Sequence, residues 1–155
     1  MHRRDFLRTT LHWTIGEWLA LNGLAAAGTA TIARIALIID DIGRSRSIAR
    51  CFLKIPADLT FAVLPHLVHS KHLAREIHDH GHELLLHQPM EPFDPKLAPG
   101  PGAVYVGDSR DQIDNVVASN IHAVPHVIGV NNHMGSRFTS SSPAILTALQ
   151  TIKRE

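Results

Sequence analysis

The chain has 155 residues, 45% of them apolar, and a net charge of +1 with its histidines neutral. That length supports one domain with a real core, and the composition excludes a disordered chain. The near-balanced charge removes any electrostatic case for nucleic acid or for an anionic membrane surface. Cys51 is the single cysteine, so no intramolecular disulfide can form, and its amphipathic setting predicts a small core residue.

The first 30 residues read as an export signal. Arg3-Arg4-Asp5-Phe6-Leu7-Arg8 resembles the twin-arginine motif, and a weakly apolar stretch follows from Thr9 to Ala27. Small residues at Ala25-Ala26-Ala27-Gly28-Thr29-Ala30 suit a signal peptidase. Glu17 would be costly at the bilayer centre, so no stable membrane span is expected. A periplasmic or otherwise exported protein follows; a short amphipathic helix on a cytoplasmic protein is the alternative.

From residue 31 onward, strand-like and helix-like patterns alternate. Strands are predicted at 33–39, 59–64, 83–86 and 126–130, from short, partly β-branched apolar runs. Between them, Ser45 or Ser47 caps a helix to about Leu53, after Gly43 has allowed a sharp turn. Ser70 caps a second helix whose apolar face is Leu73, Ala74 and Ile77, and Gly81 ends it. Ser109 caps a third, with Ile113, Val116 and Val117 inward. Ser142 and Pro143 start a fourth, with Ile145, Leu146, Leu149 and Ile152 on its apolar face. The pattern predicts an α/β fold of about four parallel strands alternating with helices.

A long loop from Pro89 to Gly107 holds five prolines, which stiffen it. Long loops within compact domains tend to be functional, and this one is placed to wall a substrate groove. Histidine is the compositional outlier at 12 copies. His66, His69, His72, His78 and His80 fall on or beside a polar helical pattern and read as solvated.

Chemistry concentrates at the ends of the apolar runs. Ile35–Ile39 leads into Asp40-Asp41, Leu84-Leu85-Leu86 into His87-Gln88-Pro89-Met90-Glu91, and Val127–Val130 into Asn131-Asn132-His133-Met134-Gly135. In parallel α/β folds reactive residues collect at the carboxyl edge of the sheet. Asp, His and Glu are also ligands for a divalent metal such as zinc. Asp41, His87 and His133, one from each of three strand ends, form a candidate metal set with an open position. A break in the first strand at Asp40-Asp41 would let one carboxylate reach the metal and the other face a substrate. Asn131 shares the face of His133 and could donate to a substrate oxygen. Arg137 could bind a sugar oxygen or pair with a carboxylate.

Five segments, in order, resemble the divergent polysaccharide deacetylase family, a branch of the NodB-type carbohydrate deacetylases. They are Ile38–Gly43, Thr60–Pro65, Gly81–Pro92, Pro99–Gly102 and Gly129–Phe138. The resemblance implies a distorted (β/α) barrel and a metal-dependent hydrolase that removes acetyl groups from N-acetylated sugars. In the NodB-type pattern the first Asp of the pair is the general base and the second a ligand, which implies Asp40 as base and Asp41 on the metal. The same pattern has two histidines four apart after the third strand. Here Glu91 stands in the second place, as a metal ligand, an outer support or in another role, and His133 would supply the missing imidazole.

The family domain continues beyond four strands, so residues 31–155 read as a partial barrel, incomplete at its C-terminal end. The leading reading is a deacetylase acting on carbohydrate of the cell envelope. The other is a truncated, non-catalytic remnant or metal- or carbohydrate-binding module. An open sheet edge would also make self-association possible.

Overall fold

In a computed structural model, which describes residues 34–155, four strands and four helices alternate along the chain. They are β1 (Ile38–Ile42), α1 (Arg46–Phe52), β2 (Thr60–Val63), α2 (Ser70–Asp79), β3 (Glu83–Met90), α3 (Arg110–Ala123), β4 (Gly129–Met134) and α4 (Ser142–Arg154). The export segment expected at 1–30 lies outside the described residues. The strands form one sheet in the order β1-β2-β3-β4, and every pair is parallel. This is the α/β arrangement the alternating patterns predict. No helix of the described residues is long and apolar enough to cross a membrane.

The strands run further than their apolar stretches. β1 includes Asp40 and Asp41, β3 continues through His87-Gln88-Pro89-Met90, and β4 carries Asn131, Asn132 and His133. The expected boundaries stop early because they follow hydrophobicity, whereas a ladder needs only backbone partners. His87 pairs with Asn131 and Pro89 with His133 in register. Pro89 has no N–H to donate, but its carbonyl accepts from Val104 N at 3.1 Å.

Alternation decides which side chains face which layer. Phe61, Val63, Leu84 and Leu86 point to the helical side and pack with Ala49, Leu73, Ala74 and Ile77 of α1 and α2. Full burial of such side chains stabilises by about 1.5–3 kcal/mol each. A second cluster joins Met90, Val104 and Phe138 to Ile113 and Val117 of α3 and Ala144 and Ala148 of α4. The opposite sheet face holds Asp40, His87, Asn131 and His133.

Local capping follows the sequence in part. Ser45 caps α1 by accepting from Ile48 N, and Ser109 caps α3 in a reciprocal box with Gln112. Ser70, by contrast, is the first residue of α2, and its buried hydroxyl donates to Leu64 O. The turn after β1 needs Gly43, whose φ is 131° and where a Cβ would lie 2.7 Å from Ser70 Oγ.

Three sequence expectations are corrected. Cys51 is exposed, because the inward face of the short α1 is taken by Ala49. α4 buries Ala144, Ala148 and Thr151 and leaves Leu146 and Leu149 more than half exposed. Its small residues allow close approach, and the leucines fall on the outer side of the same helical period. His66 is not merely solvated: its Nε2 bonds Asn120 Oδ1 at 2.8 Å. Asn120 Nδ2 donates to buried Gln88 Oε1 at 2.8 Å and to Gly102 O at 2.8 Å, and Gln88 Nε2 donates to Gly102 O at 3.0 Å. Through this network β3 and α3 both hold the proline-rich loop in place.

Candidate metal centre

The Asp40-Asp41 pair sits on a β-bulge. Ile39 pairs with Phe61 and Ile42 with Val63, so β1 carries one residue more than β2 over this step. Asp41 takes up the extra residue with φ of 63°, a left-handed conformation that costs a non-glycine residue energy. The bulge breaks alternation and brings both carboxylates to one edge of the sheet, the break that the adjacent pair predicted.

His87 and His133 come from neighbouring strands two register positions apart on the same face. Their rings meet edge to face, with centroids 4.9 Å apart. Asp41 Oδ1 lies 3.3 Å from His87 Nε2 and 2.9 Å from His133 Nδ1, and those two nitrogens are 3.2 Å apart. A zinc ion with ligand bonds of about 2.0–2.1 Å spaces tetrahedral donors by roughly 3.3 Å. The three donors therefore fit a small divalent cation with a position left free. They are the one group of three or more such side chains with this spacing among the described residues. His87 is 4% and His133 12% exposed, whereas Asp41 is 60% exposed. The centre thus has a buried imidazole floor and an open carboxylate rim.

Hydrogen bonds outside the triad orient it. His87 Nδ1 donates to Asn131 Oδ1 at 2.7 Å, and Asn131 Nδ2 donates to Asp40 Oδ1 at 2.9 Å. With its proton on Nδ1, His87 turns the Nε2 lone pair toward Asp41 and His133. An outer partner of this kind fixes the tautomer and ring angle of a ligating histidine. Asn131, expected to bind substrate, has its amide engaged on both sides. No sequence signal shows this, because it depends on the β3–β4 register.

Burial holds the His133 imidazole below its usual pKa, and His87 adds to the effect while Asp41 opposes it. The neutral form is the one that binds metal. The folded chain takes up this proton less readily than the unfolded one. The histidine's contribution to stability is therefore full above the ordinary imidazole pKa and is lost as pH falls through the region below it. His133 Nε2 is buried without a partner among the described residues.

Glu91 and Arg137 stand apart from the donors. Glu91 Oε2 accepts from Val106 N at 2.8 Å, and Oε1 pairs with Arg137 Nη1 at 3.1 Å. Glu91 O also accepts from Arg137 N and Phe138 N, both at 3.1 Å. Glu91 lies just beyond the end of β3, where it braces the proline-rich loop against the segment after β4. Glu91 thus stands outside the group of three donors, and Arg137 pairs with its carboxylate through Nη1.

Strain at Asp41 has a measurable consequence. In metal-free protein, Asp41→Gly is expected to stabilise the fold by about 0.5–1 kcal/mol, because glycine adopts positive φ without a Cβ penalty. The same change removes a metal donor. Urea denaturation in chelator and zinc titration of the same variant read the two effects separately. A lowered urea midpoint would show that the bulge is not strained by its aspartate.

The description of divergent polysaccharide deacetylases matches residues 37–155. The uncharacterized protein YibQ of Escherichia coli K12 is 33% identical over 137 residues, covering 88% of this chain and 43% of that protein. An uncharacterized protein of Haemophilus influenzae Rd is 28% identical over 123 residues, 79% of this chain and 43% of its own length. The crystal structure of an uncharacterized protein from Agrobacterium tumefaciens C58 shares the fold with a TM-score of 0.73 at 24% identity, covering 81% of this chain and 52% of that one. The chain thus spans less than half the length of the curated relatives it matches. With the match running from the start of β1 through α4, the chain belongs to the divergent polysaccharide deacetylase family.

Proposed function

We propose that this chain carries the active site of a metal-dependent hydrolase that removes acetyl groups from N-acetylated sugars of the cell envelope, with zinc as the metal and the periplasm as its place of action. The observation that carries this reading is the donor triangle of Asp41, His87 and His133, with a second carboxylate tied to it through Asn131. Family membership supports the reaction class, and the Arg3-Arg4 segment supports export.

Asp41, His87 and His133 would hold the ion. When bound, it lowers the pKa of water from about 15.7 to about 7 and polarises an acetamide carbonyl. Asp40 is the base. Its carboxylate is 52% exposed, so a water and a sugar can both reach it, and Asn131 fixes one of its oxygens. It would take the proton from the water that attacks the carbonyl carbon and pass it to the leaving nitrogen as the C–N bond breaks, giving acetate and a free amine. The Asn131 bridge keeps that base and the buried His87 ring in constant relation, and such positioning is a large part of catalysis.

Purified chain loaded with zinc is expected to release acetate from N-acetylated oligosaccharides. A protein that binds zinc tightly and releases no acetate would instead be a metal- or carbohydrate-binding module. The outer edges of β1 and β4 have no strand partner among the described residues, and self-association through such an edge belongs to the proposal.

A further inference from the structure

A cleft of about 420 Å³ opens between α1 and α2, on the helical side of the sheet. Arg46 and Arg50 of α1 line it, with His72, Arg75, Glu76 and Asp79 of α2 and His80 at the helix end. It shares no residue with the metal centre. Burial of Ala49 on α1 and of Leu73, Ala74 and Ile77 on α2 fixes both helices against the sheet. Arg46 and Arg50 are four apart on α1, and His72, Glu76 and His80 follow one another at the same spacing along α2, so each set shares a helix face.

Three guanidiniums stand here against two carboxylates. One carboxylate is already committed. Arg50 Nε donates to Glu76 Oε1 at 2.6 Å and its Nη2 to Oε2 at 3.3 Å. The hydrogen bond from Arg50 holds the Glu76 carboxyl below its ordinary pKa, so it stays charged. Asp79 stands beside His78, its Oδ1 3.6 Å from Nδ1. Among the described residues, neither Arg46 nor Arg75 has a carboxylate at ion-pair distance. Arg46 Nη2 donates instead to His72 Nε2 at 2.7 Å. A guanidinium cannot accept, so the imidazole accepts and is neutral, and the charge of Arg46 is left uncompensated. His80 Nδ1 donates to Glu76 O at 2.6 Å, which ties its ring to the helix end.

Like charges gathered on one face repel unless an ion of opposite sign joins them. Guanidinium forks match oxyanions bidentately, and a phosphate offers more acceptor oxygens than a carboxylate. The whole chain carries only +1, so the attraction belongs to this cleft and not to a broad surface. The lining has no Phe, Tyr or Trp on which a nucleic-acid base would stack.

We propose that this cleft binds a phosphate group, held by Arg46 and Arg75 against the fixed wall of the Arg50–Glu76 pair. The group is borne on a soluble phosphate ester or on a lipid headgroup, which present the same oxyanion. The site lies apart from the metal centre and needs no metal.

Calorimetric titration of inorganic phosphate tests it, with the full chain stripped of metal on a chelating resin and held at constant ionic strength. Saturable one-to-one binding is expected. Arg46→Gln combined with Arg75→Gln should weaken it at least about tenfold, because charge-assisted hydrogen bonds are lost. Both side chains are exposed, so the fold should survive the change. Arg46→Lys combined with Arg75→Lys keeps the charge but loses the fork, and should weaken binding less. Unchanged affinity in the glutamine variant, or acetate binding as tightly as phosphate, would overturn the assignment. Glycerol phosphate and vesicles of phosphatidylglycerol then separate the two sources. Retention on those vesicles but not on phosphatidylcholine, lost in the glutamine variant, assigns a lipid headgroup. Binding of glycerol phosphate without vesicle retention assigns a soluble ester. Failure of all three probes to bind would sink the site.

Discussion

His87→Ala and His133→Ala are each expected to abolish stoichiometric zinc binding at micromolar concentration. The three donors come from three different strands, so the remaining pair cannot close around an ion by local adjustment. Loss of an outer partner of a ligating histidine lowers metal affinity about 10- to 100-fold. Loss of the ligand itself should exceed that, whereas Asn131→Ala should fall within it, because Asn131 only orients His87 and Asp40. Titration against a chelator of known affinity separates the two classes. The chain has 12 histidines, and those on α2 are a plausible source of adventitious binding. Full one-to-one affinity in the His87→Ala, His133→Ala double variant would place the metal there and refute the centre.

The site was more legible in the sequence than parts of the scaffold, for a physical reason. A short apolar run followed at once by Asp, His or Asn marks the exit of a buried strand, and parallel sheets concentrate such exits on one edge. That logic finds Asp40, Asp41, His87 and His133 without a register. It fails for groups whose role depends on register or on a distant loop. Gln88 sits between His87 and Pro89, yet alternation turns it to the helical side, where it binds Asn120 and Gly102. Asn131 reads as free to meet substrate until its alignment with His87 is known. Glu91 stands at a place where classical deacetylases have a ligand, but the chain has already left β3 there and its carboxylate meets Val106 and Arg137. Hydropathy turns α4 by the wrong face because leucine outweighs alanine in any such pattern, although only alanine allows the close contact seen at Ala144 and Ala148.

The aspartate pair should divide the two halves of the chemistry. Asp40→Asn is expected to leave zinc affinity within a few fold of the parent, because Asp40 lies outside the donor triangle and reaches it only through Asn131. The same change removes the base, and loss of a positioned general base costs about 100- to 10,000-fold in turnover. Asparagine keeps the size of the side chain and can still bond Asn131 through its carbonyl oxygen, so the fold of β1 and the orientation of His87 should survive. Asp41→Asn acts in the other order. It removes the charged donor that lies 2.9 Å from His133 and 3.3 Å from His87, so zinc affinity falls first and acetate release falls with it. Raising zinc in the assay should therefore rescue Asp41→Asn in part and leave Asp40→Asn unchanged. Both carboxylates sit on the same bulge and are similarly exposed, so burial alone does not distinguish them. What separates them is which side of the Asn131 bridge each occupies. Rescue of Asp40→Asn by zinc, with Asp41→Asn insensitive to it, would exchange the two roles.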